Sequence, residues 1–375
     1  MTAASEEKTP ALLSFLENQI VTTGPISVAD YMTLCLGHPQ HGYYVTRDPF
    51  GADGDFTTAP EVSQLFGELI GIWLLSVAET LPEADTLNLV ELGPGRGTLM
   101  ADILRTIRKL NPDLKRRLSA HLVEMSPVLR ELQRKRLAAE ETTLQWHHDI
   151  STLPENGPLL IVANEFFDAL PIRQFIYSGA EWHERGIRLS DDSQLTFCHK
   201  PASLDPTLFR DLPDPKAGDI LETSPTSQAI ISELSERLQQ QGGAALLIDY
   251  GYTAPGYGDT FQALSKHQYA DPLTAPGERD LTAHVNFAAL AETAGQAGPA
   301  IHGPVTQGDF LLEMGLLQRA GQLGYGKTSE EQDRIRSDVE RLAADDQMGR
   351  LFKVLALSGP GKNNPPPGFE TSQSS

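Results

Sequence analysis

Three glycines at alternate positions, Gly93, Gly95 and Gly97, follow directly on a mainly apolar run at residues 87–92, and no other feature constrains the fold as strongly. The run has the length and branching of a buried strand, and an amphipathic helical pattern follows over residues 99–110. A strand that passes through a glycine turn into a helix N-terminus begins a nucleotide-binding α/β unit. The missing side chains let a ligand approach the backbone, and the helix N–H groups receive its negative charge. A dinucleotide fingerprint would place its third glycine at position 98, where Thr98 stands. The spacing is therefore G-x-G-x-G with an acid, Glu91, ahead of it. A purely structural turn would also use glycines; the flanking strand and helix favour a ligand site.

The alternation continues. Further strand patterns lie near residues 121–124, 144–148 and 159–163, and a helical stretch at 226–241 leads to another at 244–249. This predicts an α/β fold with a mainly parallel, doubly wound sheet and right-handed crossovers. Alternating segments at 174–177, 181–189 and 195–199, with a turn at Ser178 and Gly179, predict a small β insertion over about 172–222. Helical patterns at 10–22, 28–36 and 60–81, with Ser27 and Thr58 as caps, predict an N-terminal helical cap over residues 1–82. Residues 83–360 form the main domain. Within it, residues 253–285 carry Pro255, Gly256, Gly258, Pro272, Pro276 and Gly277 and read as a long ordered loop, a second insertion of the kind that serves as a lid. A run at 351–357 is expected to close the sheet as an edge strand, and residues 361–375 to be a disordered tail.

Fifty acidic residues against thirty basic ones give a formal charge of −20, which repels phosphate backbones and disfavours nucleic acid as a partner. The same field steers a basic protein segment favourably. Cys35 and Cys198 belong to no C-x-x-C pair, which argues against a disulfide framework and fits a reducing compartment. The longest apolar candidate, residues 69–81, contains Ser76 and Glu79, so no membrane insertion is expected. The first twenty residues hold one lysine and three glutamates and resemble neither a secretory signal nor a transit peptide; a cytoplasmic location is expected. His38 and His41 lack a cysteine or clear carboxylate partner nearby, and no metal is expected.

In an open α/β sheet, ligands bind at the carboxyl ends of the strands. The glycine turn with Glu91 ahead of it resembles motif I of class I S-adenosyl-L-methionine methyltransferases, which implies that cofactor. Gly93, Pro94, Gly95 and Gly97 would then let it approach the helix N-terminus, and Glu91 would meet its ammonium group. Glu124 ends the second strand, where an acid can accept both ribose hydroxyls; capping the next helix is its rival role, although Ser126 is the better cap. Asp149 is placed for the adenine amino group with Ile150 against the ring, or else forms an Asx turn before Ser151. Asn164, Glu165 and Asp168 stand beside Phe166 and Phe167, a combination suited to a sulfonium and an incoming nucleophile; a helix cap is the plainer account.

Taken together, these features and several longer motifs resemble the MidA-like S-adenosyl-L-methionine-dependent methyltransferases. The motifs are PISVADYM at 25–32, GHPQHGYY at 37–44, GDFTTAPE at 54–61, SQLFG at 63–67, ELGPGRG at 91–97, NEFFDALP at 164–171 and IDYGY at 248–252. The resemblance runs from about residue 25 to 357 and implies the class I methyltransferase (Rossmann-like) fold. It also implies methyl transfer to an arginine ω-nitrogen of a protein, because the family's mitochondrial member is an arginine methyltransferase needed for respiratory complex I assembly. The acceptor would be a complex I subunit or its bacterial counterpart, and a bacterial-type member is expected because no presequence is recognised. Glu165 and Asp168 are the expected catalytic carboxylates, with Asn164 beside them and Asp280 in reserve. Tyr43, Tyr44, Phe56 and Thr58 are expected at the lid, although the aromatics equally suit a core. Two rivals stay open: a methyltransferase acting on a small molecule, and an assembly factor that binds the cofactor without turnover.

Overall fold

The computed structural model describes residues 11–46, 58–210, 212–265, 268–360 and 365–370. Among the described residues the main sheet has eight strands, seven of them in one continuous path: β1 (Leu87–Leu92), β2 (Leu118–Val123), β3 (Thr143–His147), β4 (Leu159–Asn164), β5 (Gly243–Tyr252), β6 (Ala300–Thr306) and β7 (Phe352–Ser358); the two-residue strand Val285–Asn286 pairs parallel with the end of β5. Every residue of β1, β2 and β4 is buried, as expected of parallel strands covered on both faces. Their order is β6-β7-β5-β4-β1-β2-β3. Strands β1 to β5 run parallel, and β7 pairs antiparallel with both β5 and β6. Chain order reverses between β1 and β4, which opens a crevice over their carboxyl ends.

The run expected as an edge strand, β7, thus lies inside the sheet. The edge is β6, whose His302, Gly303 and Pro304 interrupt apolar alternation and its pairing, so it does not read as a strand.

Five helices matter for the site: α1 (Ala11–Thr23), α2 (Val28–Gly37), α3 (Gln64–Ala78), α4 (Thr98–Leu110) and α5 (Pro127–Arg136). Helices α3 and α4 pack Leu69, Trp73, Ile103 and Ile107 onto Leu89, Leu160 and Val162 on one face of the sheet. On the other face, Ile231, Leu234 and Leu290 cover Val90, Ile161 and Leu247. Helix α3 therefore shares the core of the main domain, although the helical cap was expected to extend through residue 82. Ser63, extended at φ −157°, separates α3 from the short helix Ala59–Val62.

Helices α1 and α2 form a third core with Ile187, Phe261 and Leu281. Ser27 caps α2 in a reciprocal box with Asp30. The strand Ile26–Ser27 just before it pairs with Trp182–Leu189, so the cap contributes a strand to the β insertion. That second sheet also contains Arg173–Tyr177, Leu195–Pro201 and Ile220–Thr223. The segment 253–285 is less irregular than its prolines and glycines suggest. It forms a small sheet of Gln262–Ser265, Gln268–Ala270 and Asp280–Thr282, anchored by buried Ala263 and Leu281.

The tail expected to be disordered is held at residues 365–370. Phe369 is buried against Phe310, and Trp73 donates its indole N–H to the Pro367 carbonyl at 3.1 Å. One aromatic ring with a matching socket outweighs the entropy that the proline-rich composition implied. Among the described residues, no helix is long and apolar enough to cross a membrane.

Candidate active site

The turn after β1 is built from left-handed backbone: Gly93, Gly95 and Gly97 have φ of 62°, 51° and 78°. At Gly93 a Cβ would meet Phe166 Cδ2 at 2.9 Å, so both conformation and space demand glycine there. Gly97 caps α4, and the hydroxyl of the next residue, Thr98, bonds the carboxylate of Glu61 in the short helix Ala59–Val62. Glu91 is almost fully buried under this turn. It accepts the Met100 N–H, while its Oε2 has no partner among the described residues. Burial pushes its carboxyl up to about 8. A small hollow of about 40 Å³ joins Glu91, Gly93, Pro94 and Gly95 to Thr58, Asn164 and Glu165.

Beyond β2, Glu124 accepts the Ser126 N–H at 2.8 Å and Gln133 Nε2 at 3.2 Å. Gln133 also donates to the Gly95 carbonyl at 2.7 Å, which ties the glycine turn to this acid. Ser126, not Glu124, caps α5. Burial raises Glu124 to about 7. Asp149 is exposed and accepts from both the N–H and the hydroxyl of Ser151, so the Asx-turn geometry is present. It also lines the main cavity, as does buried Ile150 beside it.

The segment after β4 is shaped from a distance. Asp249, fully buried near the end of β5, accepts the N–H groups of Phe166, Phe167 and Asp168 on one oxygen at 3.2, 3.0 and 3.2 Å, and that of Tyr250 on the other at 2.9 Å. Those bonds curl residues 166–168 so that Glu165 and Asp168 face the same space. Glu165 sits at φ 50°, an uncommon conformation for a side chain of its kind. Its Oε1 accepts from the Ala59 N–H and from Asn164 Nδ2, each at 3.1 Å. Burial, then the neighbouring Asp168 charge, raises Glu165 to about 8. Asp168 accepts the Tyr250 hydroxyl at 2.6 Å, its Oδ1 is buried without a partner among the described residues, and burial raises it to about 6. Asp280 accepts the Tyr44 hydroxyl at 2.8 Å.

A cavity of about 610 Å³ is lined by Gly93, Gly95, Glu124, Asp149 and Ile150 together with Tyr44, Glu165, Asp168, Tyr250 and Asp280. Most residues singled out from sequence therefore meet in one continuous space. Tyr43 does not line it. Fully buried among α1 and α2 residues, it packs edge-on against Tyr44 because its neighbours supply an apolar socket. Phe56 lies outside the described residues. Asp249, Tyr250 and Glu61 were not expected in the site. An acid terminating the apolar run of β5 was the available signal for Asp249.

Within the site, Glu91 Oε2, Asn164 Oδ1 and Asp168 Oδ1 are buried oxygens with no hydrogen-bond partner among the described residues. A ligand bringing an ammonium, a sulfonium and N–H donors matches that set, and the glycine turn leaves its backbone open. The residues present fit S-adenosyl-L-methionine.

Known proteins agree. A family model described as "Putative S-adenosyl-L-methionine-dependent methyltransferase" matches residues 69–305. A Drosophila melanogaster protein named "Protein arginine methyltransferase NDUFAF7 homolog, mitochondrial" is 39% identical over 381 residues, covering 92% of this chain and 84% of its own. The Homo sapiens protein of the corresponding name is 37% identical over 378 residues, covering 94% and 84%. A superfamily member from Burkholderia thailandensis, solved bound to S-adenosyl-homocysteine, aligns with a TM-score of 0.85 and 28% identity over 96% of this chain and 95% of that one. The expected cytoplasmic location is corrected by the Drosophila melanogaster and Homo sapiens relatives, both of which are named as mitochondrial. The expectation rested on the first twenty residues resembling neither a secretory signal nor a transit peptide, and the lack of a recognised pattern does not assign a compartment.

Proposed function

The chain belongs to the family of S-adenosyl-L-methionine-dependent methyltransferases, and from that premise we propose that it methylates an arginine ω-nitrogen of a protein. The observation that carries this reading is the convergence of Glu165, Asp168 and Asp280 on one cavity beside the glycine turn. The names of the relatives support the same acceptor. As the family resemblance implies, we propose a subunit of respiratory complex I or its bacterial counterpart as the client.

In this reading Gly93, Pro94, Gly95 and Gly97 admit the cofactor to the helix N-terminus. Glu91 and Asn164 hold its amino-acid end, Glu124 its ribose, and Asp149 with Ile150 its adenine. When bound, S-adenosyl-L-methionine supplies an electrophilic methyl group on a sulfonium. The remaining work falls to the chain. A guanidinium with a pKa above about 12 is a poor nucleophile and must lose a proton as it reacts. Carboxylates orient it through paired hydrogen bonds and accept that proton. Glu165, fixed by the Ala59 N–H and Asn164, is the proposed orienting group and proton acceptor. Asp168, held by Tyr250, is the second. Burial brings both close to neutral pH, where an acceptor works best. Tyr44 and Thr58 would exclude water from the cap side, and the cap with the β insertion would form the acceptor side of the cleft.

A small-molecule acceptor is the second reading, favoured by the apolar cavity walls at Leu170, Ile230 and Phe352. Incubating the protein with methyl-labelled S-adenosyl-L-methionine and a lysate from cells lacking it, then hydrolysing labelled bands, tests the two. Label recovered as methylarginine in a protein supports the proposal; label only in low-molecular-weight material overturns it.

A further inference from the structure

The floor and the rim of the cavity have opposite chemistry. Its floor carries Glu165, Asp168 and Asp280, whereas its mouth carries large apolar side chains in contact with water. Tyr269 is 78% exposed and Leu351 is 47% exposed, yet both line the cavity. Tyr269 lies directly across from Leu264 in the antiparallel pair of Gln262–Ser265 with Gln268–Ala270, so the two side chains share one face, and Leu264 also lines the cavity. Leu351 comes from a distant part of the chain, at the end of the short helix Met348–Leu351, and runs into Phe352, another lining residue. Two unrelated elements thus present apolar surface to one opening. Exposed tyrosine and leucine beside a functional cleft are the composition of a recognition surface.

Charge complementarity identifies the occupant. A carboxylate floor takes a guanidinium, and an extended segment entering with its arginine side chain down lays the neighbouring side chains on the rim. We propose that Tyr269, Leu264 and Leu351 select acceptor arginines whose flanking residues are apolar. This inference rests on the arginine-methylation reading and specifies its substrate class. Acidic flanks would meet both an apolar surface and the repulsion of a strongly acidic chain.

The test uses methyl-labelled S-adenosyl-L-methionine and peptides with a single arginine flanked on both sides by leucine, by glycine or by aspartate. The full-length protein is compared with its Tyr269→Ser and Leu351→Ser variants. The measurement is the ratio of kcat/KM between peptides within each protein, which a general loss of activity does not move. The leucine-flanked peptide should exceed the glycine-flanked one by about tenfold in the unmodified protein, mostly through KM, as expected for covering one apolar side chain. Each variant should bring the ratio towards unity. Equal use of leucine- and glycine-flanked peptides, or a ratio unchanged in both variants, overturns the inference while leaving arginine methylation standing. Absence of label in every peptide overturns the arginine reading, and this inference with it.

Discussion

Tyr250 donates its phenolic hydroxyl to Oδ2 of Asp168 at 2.6 Å, joining the end of β5 to the segment after β4. The bond favours the ionised carboxylate and thereby opposes the upward push of burial. Tyr250→Phe should preserve the fold and cofactor binding and lower kcat. A hydrogen bond to a charged group contributes about 1.5–3 kcal/mol, which sets the expected loss at about ten- to a hundredfold. The acid limb of the rate profile should also move to higher pH. Unchanged kcat would remove Asp168 from the proposed chemistry.

The pH dependence of kcat/KM follows from the same groups. Asp168 and Glu165 must be ionised to take a proton from a guanidinium, and burial raises them to about 6 and about 8. The rate should therefore climb with pH across that interval. Glu165→Gln should bind cofactor normally and lose the climb along with the turnover. A flat profile in the unmodified protein would mean that neither carboxylate accepts the proton.

Stability of the cofactor-free protein should fall as pH rises. Glu91 titrates near 4.5 when unfolded and at about 8 in the fold, so the native state binds more protons between those values. The stability it contributes is intact below pH 4.5 and is lost progressively towards pH 8. A thermal-melting series over that range should show a declining Tm, less steep in Glu91→Gln. A Tm series indifferent to this substitution would mean that Glu91 is not held neutral by burial.

Asp249→Asn should damage the protein more than any change at the cavity surface. The carboxylate accepts four backbone N–H groups, and an amide would turn a donor towards some of them. A cost of about 3 kcal/mol is expected, measured as a lower urea midpoint. Methyl transfer should fall with it, because residues 166–168 lose the curl that presents Asp168. A midpoint within error of the parent's would show that the loop holds its shape without Asp249.

Local pattern and distant contact divide what could be read beforehand. The run 87–92 and the run ending at Asn164 are apolar because both faces of each strand are covered, and such runs announce themselves. Glycines at left-handed positions are equally plain. Asp249 shows in the sequence only as an acid ending an apolar run; its role was not legible because three of the four amides it receives lie more than eighty residues away in the chain. Phe369 was hidden by the prolines around it, and Tyr43 and Tyr44 are adjacent yet serve different surroundings, one in a core and one at the cavity. Neighbouring residues of the same type carry no mark of which way each will point.

The placement of β7 bears on how the chain must be made. It emerges last from the ribosome of all the strands in the main sheet, yet it belongs between β5 and β6. Until it arrives, a nascent chain holds two strand edges with nothing between them, each able to recruit a foreign strand. Synthesis interrupted before residue 352 should yield a product that clumps instead of a smaller working enzyme. The central sheet can close only once residues 352–358 have been made and have entered between their two neighbours.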